Sequence, residues 1–199
     1  MLDPSWVFLS AVLGLVGSTR YAIATIAGTA RPNLVTWVLW AVAPLIGFFA
    51  QLSARVGLPA VLTLAAGLGP LIVVVSAVVT RHSYSTIGPF DVVCAVIAVA
   101  ALVVWVGFDA APTAVIVAVG ADAAAALPTI RKAWHDPDSE NLLFYVMVGL
   151  GATITLLTLD SGAPSGWAFA VYMLSLSLLL VGIVFTRRRS ALVRANHRP

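Results

Sequence analysis

The sequence predicts an all-α membrane protein of seven transmembrane helices, and three observations predict it. Of 199 residues, 61% are hydrophobic and only 10% are charged, against roughly 25% charged in an ordinary soluble domain. A mean hydropathy of +1.03 over 20.7 kDa cannot be hidden in a core, because a globule this small keeps too much of its surface in water. Apolar runs of about 20 residues, the length that crosses a bilayer, recur along the whole chain with turn residues between them. The basic residues fall almost entirely in alternate loops. Together these facts exclude a soluble enzyme, a nucleic-acid-binding module and a disordered chain.

The runs lie at 5–28, 33–53, 59–80, 89–108, 112–134, 142–160 and 165–185. No Lys or Arg precedes Arg20, so the first run lacks the basic start of a cleaved signal peptide and is expected to stay in the mature chain. Arg31-Pro32-Asn33 ends it and opens the second, Gly57-Leu58-Pro59 opens the third, and Gly88-Pro89 opens the fourth. Ala111-Pro112 starts the fifth, the polar stretch His135 to Asn141 separates it from the sixth, and Asp160 to Gly166 precedes the seventh. Leu71 to Val79 and Val96 to Val106 are apolar on every face. That pattern fits buried or lipid-facing helices and not the alternation of a barrel strand. The remaining residues leave no room for a soluble domain.

Loop charge sets orientation. With the N-terminus outside, Arg31, Arg81, Arg131, Lys132, Arg187, Arg188, Arg189, Arg194 and Arg198 face the cytoplasm, and Arg55 alone faces out. Trp6, Trp105 and Trp167 then mark the outer interface, and Trp37, Trp40 and Trp134 the inner one. The expected location is the cell inner (plasma) membrane, multi-pass, N-out and C-in. The tail 186–199 is read as cytoplasmic, and its arginines point to anionic lipid headgroups as a partner and not to nucleic acid. Cys94 is the single cysteine and sits within an apolar run, where packing is its expected role.

The spans group as three, one and three. Residues 1–80 form a first three-helix unit, 89–108 a linker helix and 112–185 a second unit, since one extra helix lets two triplets run parallel. A shift of 105 residues aligns Pro32 with Pro137, Asn33 with Asp138, Thr36 with Asn141 and Trp40 with Tyr145. The stretch Leu127-Pro128-Thr129-Ile130-Arg131-Lys132-Ala133-Trp134, followed by Pro137, Ser139 and Glu140, resembles the proline-centred helix end and loop of PQ-loop proteins. That superfamily includes the SWEET sugar transporters, the half-size SemiSWEETs and lysosomal amino-acid exporters, with PnuC-type vitamin carriers as structural relatives. Arg20-Tyr21 through Arg31-Pro32-Asn33-Leu34-Val35-Thr36-Trp37-Val38-Leu39-Trp40 is similar to a large group of bacterial proteins of this shape. Thr129 stands where the family's glutamine would be, and Ile23 is the first-repeat counterpart of Pro128. The resemblance implies a transporter of a small polar solute (sugar, amino acid or vitamin) that alternates access between its two triplets. A seven-helix receptor that binds a partner without moving it across is the alternative.

Two charges lie well inside spans, away from their ends: Arg20 in the first and Asp122 in the fifth. Ionised groups at that depth cost at least about 2.5–3.5 kcal/mol and usually face a cavity or each other. Opposite signs on equivalent helices predict a pair, read either as structural glue or as a substrate or coupling site. Thr36, Trp40, Asn141 and Tyr145 are expected to ring a cytoplasmic vestibule. Pro128 is a candidate gating kink, whereas Pro44 and Pro70 are ordinary membrane-helix prolines. Asp91 is expected to cap the fourth helix, with an inner-gate contact as the alternative. Arg31, Pro32, Pro137 and Glu140 complete the gate candidates, with Glu140 and its loop forming surface pairs to Arg31 or Arg81 worth about 0–1 kcal/mol. The small residues Ala118, Gly120, Ala121 and Ala123 to Ala126 predict a closely packed fifth helix. No phosphate loop or nucleophile–base pair occurs, and His82, His135 and His197 lie in loops or the tail without metal-ligand spacing. The reading is of a non-enzyme without catalytic residues, metal or cofactor, and its oligomeric state is open.

Overall fold

A computed structural model describes residues 3–53, 58–83, 87–106, 111–158 and 164–196. Among them are seven α-helices and no strand: α1 (Val7–Ile26), α2 (Leu34–Ser53), α3 (Leu58–Thr80), α4 (Pro89–Val106), α5 (Ala111–His135), α6 (Leu142–Thr158) and α7 (Pro164–Asn196). Short 3₁₀ turns, Pro4–Trp6 and Pro137–Ser139, precede α1 and α6. Among the described residues three helical stretches, Val7–Ile26, Thr63–Thr80 and Trp167–Ser190, are long and apolar enough to cross a membrane. Leu34–Phe49, Pro89–Val104 and Leu142–Thr158 are shorter apolar helices.

The helix ends follow local chemistry. α1 stops where Gly28 takes φ +74, a left-handed conformation open to glycine at no steric cost. The N–H groups of Thr29 and Ala30 both return to the Ala24 carbonyl. Asn33 caps α2, its Oδ1 accepting from the N–H of Val35 at 3.0 Å and of Thr36 at 3.3 Å. Its Nδ2 donates to Asp91 Oδ1 at 3.0 Å, while Asp91 Oδ2 accepts the Gly88 N–H at 2.7 Å. Asp91 therefore caps α4, as expected, and also ties the starts of α2 and α4 together. α5 runs through Pro128 uninterrupted. The proline withholds the N–H that Ala124 O would accept, and next to that gap Thr36 Oγ1 on α2 donates to Ala125 O at 2.6 Å. A hydroxyl from a neighbouring helix thus repairs the ladder where the ring strains it. The seventh apolar run ends at residue 185, but the helix does not: Arg, Ala and Leu sustain it, and α7 continues to Asn196.

Packing is alike in the two halves. Among the described residues the backbone of α3 runs beside both α1 and α2, whose own backbones stay apart although the Tyr21 and Trp37 rings meet between them; α7 runs beside both α5 and α6, whose backbones likewise stay apart. Between the halves α1 packs on α6 and α2 on α5, while α4 packs on α5 and α2. Two glycines let α3 fit into its slot. A Cβ at Gly69 would come within 2.5 Å of Ser18 Oγ on α1, and one at Gly67 within 2.8 Å of Leu45 Cγ on α2. Gly69→Ala is therefore expected to cost about 1–3 kcal/mol in thermal unfolding of the detergent-solubilised protein. Gly14→Ala, where nothing lies within 4 Å, should be neutral or slightly stabilising; equal effects would mean that α1 and α3 do not cross this closely.

The polarity is turned inside out. Val79 is 75% exposed, Val103 68% and Leu178 64%, whereas Ser18, Thr25, Thr36, Thr129, Lys132, Ser139, Glu140 and Ser177 are buried. A buried cluster of Tyr21, Trp37, Phe144, Tyr145, Leu180 and Val184 gathers at the end of the bundle that carries the α1–α2 and α5–α6 corners and Arg81. This is called the basic end below.

Candidate functional site

At the basic end the chain buries an ion pair. Lys132, three residues from the end of α5, places Nζ 2.8 Å from Glu140 Oε1, and the two side chains are 1% and 0% exposed. Glu140 sits in extended backbone between the 3₁₀ turn and α6, so its side chain points back under the helix ends. Its Oε2 accepts from two phenols, Tyr21 on α1 at 2.9 Å and Tyr145 on α6 at 2.7 Å. Aromatic rings close over the group: Trp37 lies 4.5 Å from the Tyr21 ring and 4.8 Å from Phe144, centroid to centroid. A buried charge survives only when paired and hydrogen-bonded, and here three elements supply the donors.

Around this core the α1–α2 corner docks onto the α5–α6 corner. The Arg31 N–H donates to Ser139 O at 2.9 Å, its guanidinium pairs with Asp136 Oδ2 at 2.9 Å, and its carbonyl accepts from Lys132 Nζ. Arg188 on α7 holds the same loop from behind, donating to Glu140 O at 2.8 Å and Pro137 O at 3.0 Å and pairing with Asp138 at 3.2 Å. Arg187 donates to Trp134 O at 3.0 Å and lies 4.8 Å over that indole ring.

A second polar group lies about 15 Å along α5, ten residues from Lys132 at 1.5 Å each. Asp122 Oδ2 accepts from Tyr172 Oη on α7 at 2.6 Å. The indole of Trp40 on α2 faces the same carboxylate, its N–H lying outside hydrogen-bond geometry. Ala98, Ala124 and Ala125 pack with Leu39 and Trp40 alongside.

Several sequence expectations change here. Arg20 and Asp122 do not pair: among the described residues the backbones of α1 and α5 do not approach each other, Asp122 is bonded to Tyr172, and Arg20 is exposed. Glu140 is no surface residue, and its cation is Lys132 and neither Arg31 nor Arg81. Arg81 is exposed with φ 58. Asn141 caps α6, accepting the Phe144 N–H at 3.3 Å. Pro32 is fully buried at the docked corner, and Pro137 opens the 3₁₀ turn and offers its carbonyl to Arg188. Sequence reasoning gave no site role to Tyr21, Trp37, Tyr172 and Arg188, and counted Lys132 only among the surface charges of the inner loop. One signal was available for Lys132 and Glu140: opposite charges either side of a short proline turn. No family model, curated protein or solved structure matches this chain.

Proposed function

We propose that this chain is a seven-span inner-membrane transporter of a small polar solute, N-out and C-in, with a PQ-loop-like 3+1+3 plan. α1–α3 and α5–α7 are the two rocking triplets and α4 the linker. One observation carries the reading. Arg31 and Asp136 stand 105 residues apart, the interval that aligns the two triplets, and they meet. Equivalent positions touch only where they straddle the axis relating two copies, so this contact supports two parallel repeats closing on each other at the basic end. The shared packing order, with the third helix of each triplet between the first two, supports it independently.

The bonds are distributed as a gate requires. Glu140, Lys132 and Tyr145 all belong to the second triplet and keep each other when the first moves away. At the docked corners the polar contacts that cross between triplets are the Tyr21 phenol, one backbone bond to Ser139, the Lys132 bond to Arg31 O and the Arg31–Asp136 pair, whose side chains are 51% and 31% exposed. Thr36 to Ala125 O and Ser10 to Gly151 O and Thr155 cross farther along the bundle. Breaking the corner contacts strands no buried charge. Hydrogen bonds net about 0.5–1.5 kcal/mol each, somewhat more to a charged acceptor, and a half-exposed ion pair about 0–1. A total of a few kcal/mol is the gap that keeps a minor conformer populated. The solute would then meet Asp122, Tyr172 and Trp40, one wall from each triplet.

The test is a distance measurement in lipid. Spin labels at Thr29→Cys and His135→Cys, in a Cys94→Ala background, flank the docked corners. Two populations are expected, and Tyr21→Phe should enrich the longer one. Tyr145→Phe removes an equivalent bond inside one triplet and should lower stability without shifting the balance. A single distance unaffected by Tyr21→Phe or by any solute rules out rocking.

A further inference from the structure

Arg20 stands on the outward face of α1. Val12 (52% exposed), Val16 (45%), Ile23 (51%) and Ile26 (56%) mark that face, at the spacing of one helical stripe. Gly17, Ser18, Tyr21, Ala22 and Thr25 fill the buried face. Arg20 lies six residues before the end of α1, about 9 Å along the axis, flanked by apolar side chains. Among the described residues the ion pairs are Arg31–Asp136, Lys132–Glu140 and Arg188–Asp138, and Arg20 enters none. A guanidinium facing hydrocarbon needs an anion or a route to the headgroups. Beside it the surface is hollowed: Val12, Leu15, Val16, Thr19 and Arg20 line a shallow, mainly apolar depression. It runs about 12 Å along the helix, with the arginine at the end toward the basic end of the bundle.

We propose that this depression binds a membrane phospholipid of net negative charge, its phosphate on the Arg20 guanidinium and one acyl chain along Val12, Leu15 and Val16. The fork of N–H donors matches two phosphate oxygens. α1 contains no acidic residue, so the ammonium of a zwitterionic headgroup would find no partner there, which selects an anionic lipid. A second copy of the chain is a poorer occupant. Of the acids within described helices, Asp122 is held by Tyr172 and Asp91 by Gly88 and Asn33, so neither is presented outward for Arg20. The proposal rests on α1 spanning a membrane and not on transport.

Delipidated, detergent-purified protein should be titrated with short-chain phosphatidylglycerol and phosphatidylcholine while thermal unfolding and oligomeric state are followed. The wild type should be stabilised more by phosphatidylglycerol. Arg20→Gln, at an exposed position that need not disturb folding, should bind it about fivefold more weakly, the effect of one basic residue near an anionic surface, and lose the preference. Val16→Trp fills the depression while keeping the charge and should lose it too; Arg20→Lys should keep most of it, and the tail variant Arg189→Gln all of it. If Arg20→Gln matches the wild type, or Arg189→Gln alone abolishes the preference, the lipid sits elsewhere and the proposal fails. It fails equally if the wild type is a dimer that Arg20→Gln dissociates, because a second copy then covers the stripe.

Discussion

Glu140→Gln is expected to lower the unfolding free energy by about 3–5 kcal/mol, the usual cost of stranding one member of a buried ion pair. The substitution keeps shape and an oxygen for the two phenols but leaves the Lys132 ammonium, 1% exposed, without its counter-charge. Lys132→Met should cost a comparable amount by stranding the carboxylate. The double variant should recover much of the loss, since desolvation of two charges offsets most of their attraction. A double-mutant cycle in mild detergent decides it: coupling well above about 0.5 kcal/mol is expected, and additivity within that margin would mean that the charges act independently. Neutralising Arg31 or Asp136, half exposed by comparison, should change stability by no more than about 0–1 kcal/mol. The sequence alone places Glu140 in that second class. Burial moves it to the first, and in the proposed rocking cycle the movable contacts are then those of Tyr21 and Arg31.

The helices were legible because membrane-length apolar runs are conspicuous and the punctuation between them is chemical: Gly28 ends α1, Asn33 caps α2, and Pro89 opens α4. The end of α7 was not, because hydropathy reports where a span stops and not where a helix does. The faces of the helices were the harder problem. In a soluble helix the buried stripe is apolar and the other polar; here both are apolar, so the period that would orient a residue is nearly absent. Arg20 and Tyr21 are neighbours, as are Arg131 and Lys132. One turns outward and the other inward in each pair: Tyr21 and Lys132 are buried, while Arg20 is exposed and Arg131 lies 4.9 Å over the Phe90 ring. A step of about 100° along the helix separates a core residue from a surface one, and composition does not resolve it. Residue types and depth placed Asp122, Tyr145, Arg31 and Glu140 among the candidates; their partners needed the packing.

Asp122→Asn is expected to leave the protein folded and to abolish its response to solute. The amide keeps an oxygen for the Tyr172 phenol, now 2.6 Å from the carboxylate, and removes only the charge. Tyr172→Phe should cost more stability, about 1.5–3 kcal/mol, because a hydrogen bond to an ionised group is lost and its acceptor stays partly buried. In a cycle these two changes should couple, whereas Arg20→Gln with Asp122→Asn should add, since Arg20 is exposed on α1 and Asp122 is bonded to Tyr172 on α7. The functional readout works with a solute of any identity. A metabolite that stabilises the wild type in a thermal-shift screen does so by binding the folded state. If the carboxylate holds that metabolite, Asp122→Asn should bind it at least about tenfold more weakly, a difference of about 1.4 kcal/mol, while its own melting temperature in the absence of solute stays near that of the wild type. An unchanged shift would reduce Asp122 to a packing element between α5 and α7. It would also move the solute site off α5, leaving Trp40 and the docked corners as the surfaces to probe next.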